Sequence, residues 1–259
     1  DGIRDQPRSR GLGDVYKRQY RNIVEETLDY MLREMRHSQG GFYSSQDADT
    51  DGEEGKYYVW KTSDILLNFE ERDVEILSGY FGVTPEGNFD GSNILTATMD
   101  PPEVAAALGM AEQEFQVDLE RIKSDMLALR GRRTPPPTDR KILTSWNGMV
   151  LKALADAALI LDSKPYKDAA IENASFLLQE LYIDGRLCRT WKDGSSRLKG
   201  YLEDYAYLIL GLISLHELTF SHRWLYEAER LTEEMVRLFW DEEKKVLFDV
   251  GDDHESLLL

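Results

Sequence analysis

The segment 147–182, "NGMVLKALADAALILDSKPYKDAAIENASFLLQELY", lies over 205–240, "YAYLILGLISLHELTFSHRWLYEAERLTEEMVRLFW", at a constant offset of 58 positions. Leu154 then falls on Leu212, Tyr166 on Trp224, Ala170 on Ala228 and Tyr182 on Trp240. A repeat of this length marks an architecture assembled from one supersecondary unit. Each unit reads as a helix, a tight turn and a second helix. Helix 145–161 is apolar nearly all round (Met149, Val150, Leu151, Ala153, Leu154, Ala157, Ala158), so it is expected to be buried on every side. Its partner, 166–182, gathers Ala169, Ala170, Ala174, Leu177, Leu178 and Leu181 on one face and belongs outside. The second unit repeats the scheme with inner helix 203–218 and outer helix 223–239, and "DSKP" and "TFSHR" make the short turns.

Earlier segments follow the pattern more loosely. Residues 22–36 read as an outer helix, 63–82 as one broken helix or two short ones, and 112–131 as a long amphipathic helix. "TPPPTDRK" (134–141) is a rigid linker, since three prolines cannot continue a helix. Alternating inner and outer helices predict an all-α fold of the α/α toroid type. An α-solenoid competes, but one connection of each unit is short and the other, 183–202, is long, which favours the toroid. Six such hairpins need about 350 residues by the same repeat logic. The 259 residues here therefore predict a partial (α/α)6 toroid, an incomplete fragment spanning 20–259. Residues 1–19, "DGIRDQPRSRGLGDVYKRQ", have no helical or strand period and read as a non-native, adapter-derived tail.

With 48 acidic against 31 basic residues the net charge is −17, which repels phosphate backbones and anionic lipid. Nucleic acid and membrane are therefore not expected partners. A single cysteine, Cys188, excludes an internal disulfide framework and any C-x-x-C motif, and a reducing, cytoplasmic setting fits. The four histidines, His37, His216, His222 and His254, show no metal-ligand spacing, and neither a metal nor a cofactor is expected.

The unusual residues gather in the long connections. "GGFYSSQDADTDGEEGKYYVW" (40–60) opens the question of calcium, since Asp47, Asp49, Asp51 and Gly52 spell D-x-D-x-D-G. An EF-hand loop needs a bidentate Glu at its twelfth position, and Tyr58 stands there instead. The stronger reading is a sugar-type pocket, in which aromatic faces meet C–H patches and carboxylates accept from hydroxyls. Asp47, Asp49, Glu53, Glu203 and Asp204 are candidate acid–base residues, as in two-carboxylate glycoside chemistry. Tyr43, Glu54, Tyr57, Trp60, Trp146, Asn147 and Tyr205 are candidate substrate-binding residues. The stretches 40–60, 141–147 and 200–205 all lead into inner helices and are expected to converge on one face. Asp204 also fits as a helix cap.

The blocks "GGFYSSQDADTDGEEGKYYVW", "YFGVTPEGNFDGSNIL", "ILTSWNGM" and "YLEDYAYLI", in this order, resemble the YyaL-type thioredoxin-domain-containing family, the relatives of spermatogenesis-associated protein 20. The resemblance spans about residues 20 to 255. It implies a thioredoxin-like domain ahead of a six-hairpin toroid similar to N-acylglucosamine 2-epimerases and six-hairpin glycosidases. That domain and the remaining hairpins are absent from this stretch and are expected partners of it. The family often has a second acid where this chain has Arg140. The epimerase relatives use histidines on inner helices, and none occupies the matching face here. Two functions follow as expectations: a pocket for a sugar or sugar derivative, or a non-catalytic toroid that supports a thioredoxin-like domain and binds a partner.

Overall fold

The computed structural model describes residues 20–253. The amino-terminal segment set apart by its sequence lies outside the described residues. In chain order, α1 covers 20–30 and runs into a π-helical turn, Met31–Met35. Then come α2 (Thr62–Asn68), α3 (Glu71–Phe81), α4 (Pro101–Ala107) and α5 (Glu112–Arg130). They are followed by α6 (Thr144–Leu161), α7 (Lys164–Glu180), α8 (Leu202–Thr219) and α9 (His222–Phe239). The chain divides into two compact units. One runs to Ser45 and resumes at Thr138, and the other is Gln46–Pro137.

The first unit holds the two helical hairpins, and the repeat extends to their turns. Asp162 and Phe220, which the offset superposes, both adopt left-handed backbone conformations at φ 52° and 53°. Ser163 and Ser221 follow as the residues before α7 and α9. α7 begins two residues earlier than its apolar pattern suggests, because Pro165 is tolerated in a first helical turn. It ends at Glu180 because Tyr182 enters a strand. The helices form an incomplete α/α toroid: α6 and α8 lie side by side as inner helices, while α7 and α9 pack outside them. The core runs from Leu151 and Leu154 of α6 through Leu208, Leu212 and Leu215 of α8 to Tyr166, Leu177, Trp224 and Leu231 of the outer pair. α1 lies against α7, where the Tyr166 hydroxyl donates to Asp29 Oδ1 at 2.8 Å.

α6 and α8 touch backbone to backbone. A Cβ on Gly148 would stand 2.5 Å from the Tyr207 carbonyl carbon and 2.6 Å from the Leu208 nitrogen. A Cβ on Gly211 would stand 2.9 Å from the Gly148 oxygen. Contacts this close leave room only for hydrogen at both positions.

The long connection 183–202 is a three-stranded meander. Tyr182–Ile183 pairs with the start of Arg186–Lys192, which pairs in turn with Ser195–Lys199. Ile142–Leu143, just before α6, adds on the other side with Ile142 opposite Trp191. Asp184–Gly185 and Asp193–Gly194 close the two turns, each with φ near +50° at Asp and near +80° at Gly. These are the angles of the tight hairpin turns whose twist matches paired strands.

In the second unit, 63–82 forms two short helices, α2 and α3, as one of its two readings allows. Ile65, Ile76, Leu77, Val104, Phe115, Leu119 and Ile122 form a separate core. Asp51–Gly52 and Asp90–Gly91 close two further tight turns, with Thr50 opposite Glu53 and Phe89 opposite Ser92. No helix among the described residues is long and apolar enough to cross a membrane.

Replacing Gly148 with Ala forces a methyl group into the α8 backbone. The variant should lose about 1–3 kcal/mol, the usual cost of overpacking, read as a lower denaturant midpoint at unchanged slope. An unchanged midpoint would mean that the two helix backbones do not meet there.

Candidate functional site

Helix starts leave backbone N–H groups without partners inside the helix, and the carboxyl of Asp204 takes up two of them. Its Oδ1 accepts from the Ser145 N–H at the start of α6, 2.9 Å away. Its Oδ2 accepts from the Tyr201 N–H at 2.9 Å, in a capping box on its own helix. Arg189 adds a third contact at 3.3 Å and stacks over the Tyr201 ring. Asp204 is fully buried, and that burial pushes its carboxyl above the usual carboxylate range in spite of these partners. It therefore locks two helix starts together and has no surface to offer a ligand, which corrects the acid–base role expected of it. Neighbouring Glu203 is exposed and pairs with Arg189 at 2.9 Å.

Asn147 and Tyr205 are likewise built into the frame. Asn147 pairs with both backbone groups of Phe42, accepting its N–H at 2.8 Å and donating to its carbonyl at 3.0 Å. Asn173 donates to Asn147 Oδ1 and to the Gly40 carbonyl, both at 3.0 Å. The two amides thus fasten the Gly-Gly-Phe turn to α6 and α7. The Tyr205 hydroxyl donates to Glu234 at 2.5 Å and accepts from Arg186 at 2.6 Å and from the Leu187 N–H at 3.1 Å. Burial pushes this phenol well above its ordinary range. Trp146 lies between these buried residues in sequence yet is 48% exposed on α6. Within the first unit, 40–43, 141–147 and 200–205 are thus joined by direct bonds, while 46–60 belongs to the second unit.

Of the residues expected to bind substrate, Tyr43 reaches a cleft in the first unit, with a volume of about 250 Å³. His37 and Gln39 from the loop after α1, Arg140 from the linker, and Trp191 and Asp193 from the meander complete its walls. The His37 ring lies 5.0 Å from Trp191 and 5.8 Å from Tyr43, centroid to centroid. Its Nδ1 accepts the Gln39 N–H at 3.2 Å, so Nε2 carries the ring proton in the neutral form. Nothing in the local sequence marks His37. Gln39 and Tyr43 are its local partners, but Arg140, Trp191 and Asp193 come from positions 140 to 193, and the packing of whole elements brings them to it.

The second unit has its own cleft, of about 480 Å³, on which Glu53, Glu54 and Tyr57 lie together. The D-x-D-x-D-G stretch is a hairpin here, with Asp49 opposite Glu54. Asp47 and Asp49 are exposed, and Asp47 Oδ1 accepts the Asp49 N–H at 3.2 Å. Lys56 holds the Glu53 carboxyl below its usual range. Trp60 is buried beneath Arg133, which stacks over it at 4.0 Å and donates to the Tyr57 and Val59 carbonyls. Among the described residues, no three His, Cys, Asp or Glu side chains are placed to hold a metal ion. Burial raises the Cys188 thiol, which keeps it protonated and a poor nucleophile.

No family model matches the chain. The chain is homologous to spermatogenesis-associated protein 20 of Homo sapiens, at 29% identity over 86% of this chain and 33% of that protein. The Mus musculus protein of the same name is 28% identical over 86% of this chain and 32% of its own length. The chain thus spans about one third of the length of these curated relatives. Among solved structures, it is similar to cellobiose 2-epimerase from Bacillus thermoamylovorans, with a TM-score of 0.42 and 10% identity over 92% of this chain and 59% of that one. It is also similar to a D-mannose isomerase, with a TM-score of 0.41 and 17% identity over 44% and 30% of the two chains.

Two neighbouring acids separate structural from surface roles. Asp204→Ala strands the buried Ser145 N–H, at a cost of about 1–3 kcal/mol, together with the part-buried Tyr201 N–H, and should lower the melting temperature sharply. Glu203→Gln removes a surface ion pair and should change stability by no more than about 1 kcal/mol. Equal effects from the two substitutions would contradict the assignment of Asp204 as the lock.

Proposed function

We propose that this chain binds a sugar or sugar derivative, and that the His37–Tyr43–Trp191 cleft is the binding site. The carrying observation is the aromatic wall flanked by a guanidinium, an amide, an imidazole N–H and a carboxylate. Ring faces take the C–H side of a pyranose, while the polar groups sort its hydroxyls into donors and acceptors. The volume falls just below the usual small-molecule range, roughly 300–1,000 Å³, which suits one ring more than a chain of rings. Among the described residues, Asp193 is the only carboxylate on this wall, so the paired acids of glycoside hydrolysis are not assembled here. The reading is therefore recognition, with His37 Nε2–H as a hydrogen-bond donor to a bound sugar.

Glu53, Glu54 and Tyr57 lie together on a separate polar cleft, and the acid–base role of Glu53 with the substrate-binding roles of Glu54 and Tyr57 stands as a second, independent proposal. The non-catalytic alternative is favoured by another observation. Trp146 and Met149 on α6, with Leu210 and Ile213 on α8, leave apolar side chains of inner helices exposed. Such a surface suits a protein neighbour, whether a partner or another part of a longer chain.

Titrating the full-length protein with a panel of monosaccharides, followed by tryptophan fluorescence and calorimetry, tests the sugar reading. A saturable response is expected, and Tyr43→Ala should weaken it about tenfold, equivalent to roughly 1.4 kcal/mol. A flat response across the panel, with apolar dye binding that Leu210→Glu removes, would favour the partner-binding alternative instead.

A further inference from the structure

We propose that the cleft is specific for an anionic sugar derivative, one bearing a carboxylate or phosphate, and that Arg140 is its anion receptor. The inference rests on the sugar reading of the cleft and narrows it. Arg140 is exposed on the cleft wall and, among the described residues, joins no hydrogen bond or ion pair. In a chain with 48 acidic and 31 basic residues, carboxylates to neutralise an arginine are plentiful. The adjacent acid, Asp139, is occupied by Lys141 at 3.0 Å, and that lysine holds its carboxyl below the ordinary range. Asp193, on the same cleft, makes no ion pair with Arg140.

The polar groups around the rings then divide by chemistry. Arg140 can only donate, and a guanidinium offers a planar fork that fits carboxylate and phosphate oxygens. His37 donates through Nε2, because Nδ1 is taken by the Gln39 N–H. Asp193 can only accept when ionised, which suits sugar hydroxyls and disfavours an anion at its own position. A ligand that satisfies both has hydroxyls at one end, an acidic group at the other and a ring between them for Tyr43 and Trp191. A neutral sugar offers the guanidinium only hydroxyl oxygens and no opposite charge. A simple anion leaves the aromatic wall and Asp193 unused.

Calorimetry of the full-length protein with glucose, glucuronate and glucose 6-phosphate tests this, with Arg140→Gln and Arg140→Lys as variants. One or both anionic sugars should bind at least about tenfold more tightly than glucose, as expected for a charge-assisted hydrogen bond. Arg140→Gln should abolish that preference while leaving the melting temperature unchanged, and Arg140→Lys should restore part of it. Glucuronate and glucose 6-phosphate report separately whether the acid is a carboxylate or a phosphate. If glucose binds as tightly as both anions, the inference fails while the sugar reading stands. If none of the three binds, the sugar reading fails and carries the inference with it. A preference for anions that survives Arg140→Gln would place the anion elsewhere and overturn the assignment.

Discussion

The backbone contact between α6 and α8 at Gly148 and Gly211 is the constraint on which the first unit depends. Two helices separated by ordinary side chains keep their axes 8–10 Å apart. Glycine at both contact points brings the backbones together and fixes the level at which one helix passes the other. Because the inner helices are held at that level, the carboxyl of Asp204 on α8 reaches the first turn of α6. The same closeness brings the strand before α6 alongside the meander before α8, with Ile142 opposite Trp191. The cleft opens at the edge of that ladder, so its walls inherit their positions from the contact between α6 and α8.

Charge is distributed in this unit according to the cost of burial. A carboxylate taken out of water needs partners for its lone pairs, and Asp204 finds two N–H groups and a guanidinium. Glu234 is buried beneath the hydroxyls of Tyr182 and Tyr205. These acids are committed to the frame. The groups left for a ligand lie at the loop edge, where water solvates them until something else does. The aromatic residues divide in the same way. Tyr205 is sealed against Phe239, whereas Tyr43 is half-buried and shares its cleft with His37.

The four Asp-Gly turns show a signal that was present in the sequence in local form. Each lies between short runs able to pair, and each closes a two-residue hairpin in which both residues have positive φ. Such pairs are the strongest short-range mark of a hairpin. Read that way, "DADTDGEE" is a hairpin before it is a metal loop, and 183–202 is a meander before it is a long connection. Both features follow from the backbone preferences of two adjacent residues and need no tertiary contact to be foreseen.

By itself, the sequence determined the two helical hairpins, their inner and outer order, their 58-residue offset and the short turns within them. Helical period, turn chemistry and apolar content are local properties, written within a few residues of where they act. Tertiary structure alone decided which motif residues became structural. Asp204 and Glu203 are adjacent and both acidic, yet one is sealed between two helix starts and the other faces water, because successive helical residues point about 100° apart. It also decided that His37, Arg140 and Trp191 share one cleft. Residues separated by a hundred positions meet through the packing of whole elements, and no periodicity along the chain records that meeting.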